Sequence, residues 1–154
     1  MRQLNQAGLD LLKAREGLRL KTYLCSANHR TIGYGHTGHD VHEGMEITLE
    51  EAEELLRVDI NWAANAVHAA TAGVPTTDNQ FAAMVVLTFN IGAPAFKTSS
   101  VLRFHKEGDY ASAAKAFSLF DKQRVDGKLV VNQGLVNRRR LEASLYVTPD
   151  SEVE

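Results

Sequence analysis

Apolar residues at Leu4, Leu11, Leu12 and Ala14 recur at helical spacing and predict a first helix that Gly17 stops, which puts Glu16 in its last turn. The pattern then shortens. From Leu20 to His36, Tyr23, Leu24, Ile32 and Tyr34 stand among polar residues and glycines, as in short strands and turns. The turn-prone Ser26-Ala27-Asn28-His29 would fold Lys21 to His36 back as a hairpin. Thr48-Leu-Glu-Glu51 carries a capping-box pattern and opens a run with apolar positions at Leu49, Ala52, Leu55, Leu56, Ile60, Ala63 and Val67. One helix of roughly 22 residues, about 33 Å long, is expected there. It should end before Gly73-Val-Pro75, and Trp62 on it reads as a packing residue. Thr77-Asp-Asn-Gln80 repeats the capping pattern before Phe81 to Ile91, which is apolar nearly all round and reads as a buried central helix. Shorter helical patterns cover 98–106, 109–120 and 135–146, and the end of the chain, with Pro149 and the acidic Asp150 to Glu154, reads as a frayed tail.

A short-strand stretch beside many helices predicts an α+β fold. With 154 residues, 44% of them hydrophobic, and three prolines, the chain can bury one compact core, divided between two small lobes; a disordered chain is excluded. A single cysteine forms no internal disulfide, so folding needs no oxidising compartment. Arg2, Asp10, Lys13, Arg15, Glu16 and Arg19 interrupt every early apolar run, so neither a signal peptide nor a membrane anchor is expected and the protein should accumulate in the cytoplasm. The net charge is −2, but Asp40 to Asp59 is acidic while Lys122, Arg124, Lys128 and Arg138-Arg-Arg140 are basic. That basic end could face an anionic polymer. Three successive arginines fan around a helix, so at least two of them belong to a solvated face. A nucleic-acid binder is disfavoured by the acidic balance and the lack of a recognition motif.

Candidate chemistry gathers early in the chain. Eight residues lie between Glu16 and Cys25 and five between Cys25 and Thr31, and Thr31 opens the run Thr31-Ile-Gly-Tyr-Gly-His-Thr-Gly38. A glycosidic bond breaks when a carboxylic acid protonates the leaving oxygen while a group across the sugar ring aligns water or attacks the anomeric carbon. Glu16 could be that acid, since the negative end of the helix dipole favours its protonated form. A structural Glu16 paired with Lys13 or Arg19 is the competing account. Gly33 and Gly35 would let a sugar or a neighbouring backbone approach closely. His36, His39 and His42 recur every third residue, but in a glycine-rich context no metal pattern is completed, so neither metal nor cofactor is expected.

Glu16-Gly-Leu18, Tyr23, Cys25 and Thr31-Ile-Gly-Tyr-Gly-His-Thr37 resemble the catalytic segment of the phage-type lysozymes, the endolysin family that includes the lysozyme of phage T4. Phe89-Asn-Ile-Gly92, Ala95-Phe96, Ser99-Ser-Val-Leu-Arg103, Gly108-Asp109 and Gly134-Leu-Val-Asn-Arg-Arg-Arg140 followed by Glu142 resemble its helical lobe in the same order, from about residue 4 to residue 147. The resemblance implies a lysozyme-like α+β fold in one domain: a β-rich lobe over 17–47, a connecting helix over 48–72, a helical lobe from 1–16 and 77–147, and a flexible tail over 148–154. It implies a muramidase acting on peptidoglycan glycan strands, monomeric and without stable membrane association, which waits for a separate membrane pore, a holin, to reach the wall. Glu16, Cys25 and Thr31 would be catalytic, and Arg138 would position the acid. Gly33, Tyr34, Phe89 and Asn90 would bind substrate, Asn90 through a sugar acetamido group, and His36 would be a structural partner of an acidic side chain on the connecting helix.

Cys25 stands where most members of that family have aspartate. A thiol titrates near 8.5 and is mostly neutral at pH 7 unless a cation such as His29 or Arg30 lowers it. Its role is open: a thiolate that orients water, a nucleophile that forms a thioglycosyl intermediate, or a neutral neighbour. The departure also leaves two other classes to weigh, a wall peptidase or amidase pairing Cys25 with His29 or His36, and a non-catalytic sugar-binding descendant of the fold.

Overall fold

The structure, a computed structural model, describes residues 2–24 and 28–150. Helix α1 (Gln6–Glu16) leads into strands β1 (Arg19–Leu24), β2 (Arg30–Gly33) and β3 (His36–Thr37). Helices α2 (Leu49–Asp59), α3 (Asn61–Ala70), α4 (Asp78–Ile91), α5 (Ala93–Lys97), α6 (Ser100–Lys106) and α7 (Tyr110–Ala116) follow. A short 3-10 turn (Phe117–Phe120), the hairpin β4 (Lys122–Val125) and β5 (Lys128–Val131), and helix α8 (Gln133–Val147) complete the chain. Helices with small antiparallel sheets make this an α+β fold, as the pattern predicts.

The chain divides into two compact units, Leu12–Trp62 and Met1–Leu11 with Ala63–Glu154. The first holds the sheet. β1 and β2 run antiparallel with Leu24 opposite Arg30, so the expected hairpin forms, although Cys25, Ser26 and Ala27 in its connection lie outside the described residues. Ile32, Val41, Ile47 and Ala52 form its core, with Tyr34, Met45 and Leu55 packed against them. Both expected capping boxes are present: Thr48 accepts from the Glu51 N–H while the Glu51 carboxylate accepts from the Thr48 N–H, and Thr77 and Gln80 do the same for α4.

The long helix expected from Thr48 onwards is two helices that meet at Ile60. Val58-Asp59-Ile60-Asn61 puts four weak helix formers in a row, and the Ile60 N–H is shared between the carbonyls of Leu56 and Val58. In the second unit ten successive residues of α4, Asn79 to Thr88, are buried, as a central helix requires. Phe117, Tyr146, Tyr110 and His105 stack beside it with ring centroids 5.5 to 6.4 Å apart. The Thr76 hydroxyl donates to the Val74 carbonyl and therefore accepts from His105 Nε2–H at 2.9 Å, which leaves His105 Nδ1 to accept from the Tyr146 hydroxyl at 2.6 Å. Burial holds His105 below the usual imidazole range, and it also raises the Tyr146 phenol well above its own.

Two stretches depart from expectation. The hairpin β4–β5 was not foreseen; it turns through Asp126 (φ +50) and Gly127 (φ +78), the left-handed pair that a two-residue hairpin loop needs. The expected flexible tail begins as an ordered segment. Asn79 Nδ2 donates to the carbonyls of Thr148 and Pro149, and the Asp150 carboxylate accepts from the N–H groups of Asp78 and Asn79 at 2.9 Å each. The first N–H groups of a helix have no partner within it, so a carboxylate there satisfies both hydrogen bonding and the helix dipole. Residues 151–154 of that tail lie outside the described residues.

Candidate active site

Glu16 is the last residue of α1, and Gly17 (φ +68) turns the chain away from it. Lys13 pairs with Glu53 at 2.7 Å, and the Arg19 guanidinium lies 4.9 Å from the centre of the Tyr23 ring. Arg15, with its side chain 8% exposed, approaches Glu16 Oε1 at 3.3 Å. The loop Gly33-Tyr34-Gly35 between β2 and β3 closes the other side. A Cβ built on Gly35 would stand 3.2 Å from Glu16 Oε2, so the bare backbone here (φ +83) is what leaves room for the carboxylate.

Gly33 behaves differently. It is buried, and a Cβ there would meet Ala52 and Ile47 at 3.5 Å, so its close approach is to the core of this unit. Tyr34 is half-buried on that core, with Lys13 Nζ 5.8 Å from its ring centre. Thr31 is buried in β2 opposite Tyr23 and Thr37, and its hydroxyl donates to the His29 carbonyl at 3.0 Å. Its oxygen therefore has lone pairs, and no proton, to offer anything else. Cys25 lies outside the described residues.

His36 holds the loop in register. Its Nδ1 lies 2.8 Å from Asp59, the last residue of α2, and its Nε2 lies 3.0 Å from Asp40. Burial opposes a charge on the ring, but the hydrogen bonds to Asp59 and Asp40 outweigh it and raise His36 above its ordinary value. Asp40 is held below the usual carboxylate range, chiefly by its hydrogen bond to His36. An imidazolium between two carboxylates thus ties β3 to α2, and the loop that abuts Glu16 hangs from β3. Asp40 was not foreseen; its place four residues after His36 was the available signal.

The remaining candidates, Arg138, Phe89 and Asn90, lie in the second unit. Arg138 is half-buried on α8, Phe89 is half-buried near the end of α4, and Asn90 beside it is exposed. Of the three successive arginines Arg139 is the buried one: Arg139 Nε lies 3.0 Å from Glu142 Oε1, both side chains are at most 2% exposed, and Arg139 Nη2 donates to Asn90 Oδ1 at 2.8 Å. Trp62 keeps 45% of its surface exposed. Among the described residues no cluster of His, Cys, Asp or Glu suited to a metal is present.

An opening helix, a small antiparallel sheet and a helical remainder, with a glycine loop set against a carboxylate, make up the lysozyme-like α+β fold. The sequence profile of the family described as Phage lysozyme matches residues 13–142. The endolysin of Acyrthosiphon pisum secondary endosymbiont phage 1 is 43% identical over 143 residues, covering 93% of this chain and 97% of its own. Among solved structures, the endolysin from Escherichia coli O157:H7 phage FAHEc1 superposes with a TM-score of 0.87 at 43% identity, over 95% of this chain and 94% of the other. A P22 lysozyme mutant does so with a TM-score of 0.83 at 41% identity, over 96% and 100%. The chain belongs to the phage lysozyme family, and with it to the lysozyme hydrolases.

Proposed function

We propose that the protein is a phage or prophage endolysin, a muramidase that hydrolyses the β-1,4 bond between N-acetylmuramic acid and N-acetylglucosamine in bacterial peptidoglycan and so lyses the host cell. The observation that carries this reading is the Glu16 carboxyl, set at the end of α1 beside Arg15 and against the Gly35 backbone. Glu16 gives its proton to the glycosidic oxygen as the bond to the anomeric carbon breaks. Water adds to that carbon and releases a proton, which restores Glu16 through solvent. Because the Thr31 hydroxyl spends its own proton on His29, it meets the water as an acceptor and aims the water oxygen at the sugar. Arg138 positions the acid, and Phe89, Asn90 and the loop carrying Gly33 and Tyr34 contact the glycan.

Cys25 takes the place of the family's usual aspartate. If its thiolate orients the water, the anomeric configuration inverts; if its sulfur attacks the anomeric carbon, a thioglycosyl intermediate forms and configuration is retained. The anomer of the first-formed product separates the two. On this reading the protein collects in the host cytoplasm as a monomer until a holin gives it access to the wall; among the described residues no helix is long and apolar enough to cross a membrane.

Reducing-sugar release from purified peptidoglycan tests the reading, with new ends identified by borohydride reduction and mass spectrometry. Muramitol ends are expected from wild type and not from a folded Glu16→Gln variant. Wall solubilised without new reducing ends would sink the glycosidase reading.

A further inference from the structure

Every residue in the two strands of the hairpin β4–β5 is exposed. A two-stranded ribbon wet on both faces is marginal in water, and this one is fastened at its base, where the Asn132 N–H donates to the Asp121 carbonyl at 2.9 Å. The register sets what each face carries. Lys122 stands opposite Val131 and Arg124 opposite Leu129, and residues that are paired or two apart share a face. One face therefore presents two cations from β4 and two aliphatic side chains from β5, Leu129 at 59% and Val131 at 60% exposure. Lys122 Nζ also meets Asp121 at 3.0 Å, an exposed pair too weak to withhold the ammonium from another anion. The flanking chain has the same sign: residues 110–141 hold seven lysines and arginines against two aspartates, in a protein whose net charge is −2.

We propose that this face is a docking surface for an anionic lipid bilayer, met reversibly with the ribbon lying flat. Leu129 and Val131 enter the boundary between headgroups and acyl chains, while Lys122 and Arg124 extend to the lipid phosphates. The mixture of side chains decides among occupants. A second copy pairing edge to edge would bring the cations of both ribbons together, and lysines on an edge oppose such pairing. A polyanion in water would use the charges and leave the aliphatic side chains wet; a bilayer uses both. The inference goes beyond the muramidase reading and is independent of it, because lipid binding is read without wall substrate.

Cosedimentation with vesicles tests it. Wild type should partition onto vesicles of phosphatidylglycerol mixed with phosphatidylcholine at low salt, leave them at high salt, and ignore phosphatidylcholine alone. Lys122→Gln with Arg124→Gln should weaken partition about fivefold for each cation removed. Leu129→Ser with Val131→Ser keeps every charge and should weaken it at least about tenfold. All four side chains are exposed, so these variants should fold, which circular dichroism and thermal melting check. A second readout removes no contact: in a Trp62→Phe background, Leu129→Trp should shift its emission to the blue on anionic vesicles. Wild type that stays in the supernatant would overturn the inference. So would serine variants that bind as tightly as wild type, since charge alone would then account for binding. An unshifted emission from bound protein would put another surface against the lipid and overturn it too. A wild-type dimer in light scattering that the serine substitutions dissolve would assign the face to a second copy instead.

Discussion

Gly35 has no side chain, and the Glu16 carboxylate uses the space. Replacing it with alanine puts a Cβ 3.2 Å from Oε2 and asks a β-carbon to accept a φ of +83°. Such a substitution costs somewhat more than about 1 kcal/mol of stability, but a displaced acid loses more, since misplacing a catalytic group by 1 Å costs on the order of a hundredfold. Gly35→Ala should therefore lower kcat by at least about tenfold while the melting temperature drops only a few degrees. A loss of activity no larger than the loss of folded protein would show that the loop does not set the acid. The motif around Glu16 and Thr31 stands out in the sequence because it is local, its described members lying at the end of α1 and in the strands that follow it. The arginines do not. Successive helical residues point about 100° apart, so a run of three must send its members to different surroundings. Which of them is buried depends on the rotation of α8, and its core-facing positions are Arg139, Glu142 and Tyr146, of which only the last looks apolar in sequence.

Helices whose starts are written in a few adjacent residues were read correctly, as Thr48 with Glu51 and Thr77 with Gln80 show. The hairpin β4–β5 escaped because its residues are exposed on both faces, which leaves no alternation to see; only Asp126-Gly127 marked it. Two histidines set opposite pH responses in two different elements. His36 on β3 titrates above its unfolded value near 6.5, so the stability it contributes is fully present below that pH and is lost as pH rises through its folded value. Asp59→Asn should lower the melting temperature most in mildly acidic buffer, and the gap from wild type should narrow on going alkaline. His105 on α6 titrates below its unfolded value, so its contribution is present above about 6.5 and is lost as pH falls through the folded value. A non-titrating His105→Gln variant should show a shallower loss of stability on acidification. Calorimetric melting across pH 4 to 9, in roughly half-unit steps, checks both, and parallel curves for either variant and wild type would refute the assignment.

Both ends of the described chain converge on one helix start. Arg2 pairs with Asp78 at 2.7 Å, and Asp150 takes the N–H groups of Asp78 and Asn79. Asp150→Ala should cost about 1 kcal/mol, the range of a lost helix cap, and lower the melting temperature by about 2 to 4 °C. The fold of α4 thus depends on a residue some seventy positions downstream, which no local pattern announces. The same contact orders events in time. Leu12–Trp62 is one continuous stretch and can fold as soon as it leaves the ribosome, whereas the other unit is spliced from both sides of it and keeps an open helix start until Asp150 has been made. Asp150 closes the start of α4 once it has been made, so a chain interrupted before that residue would carry the three-stranded sheet and an unfinished helical body.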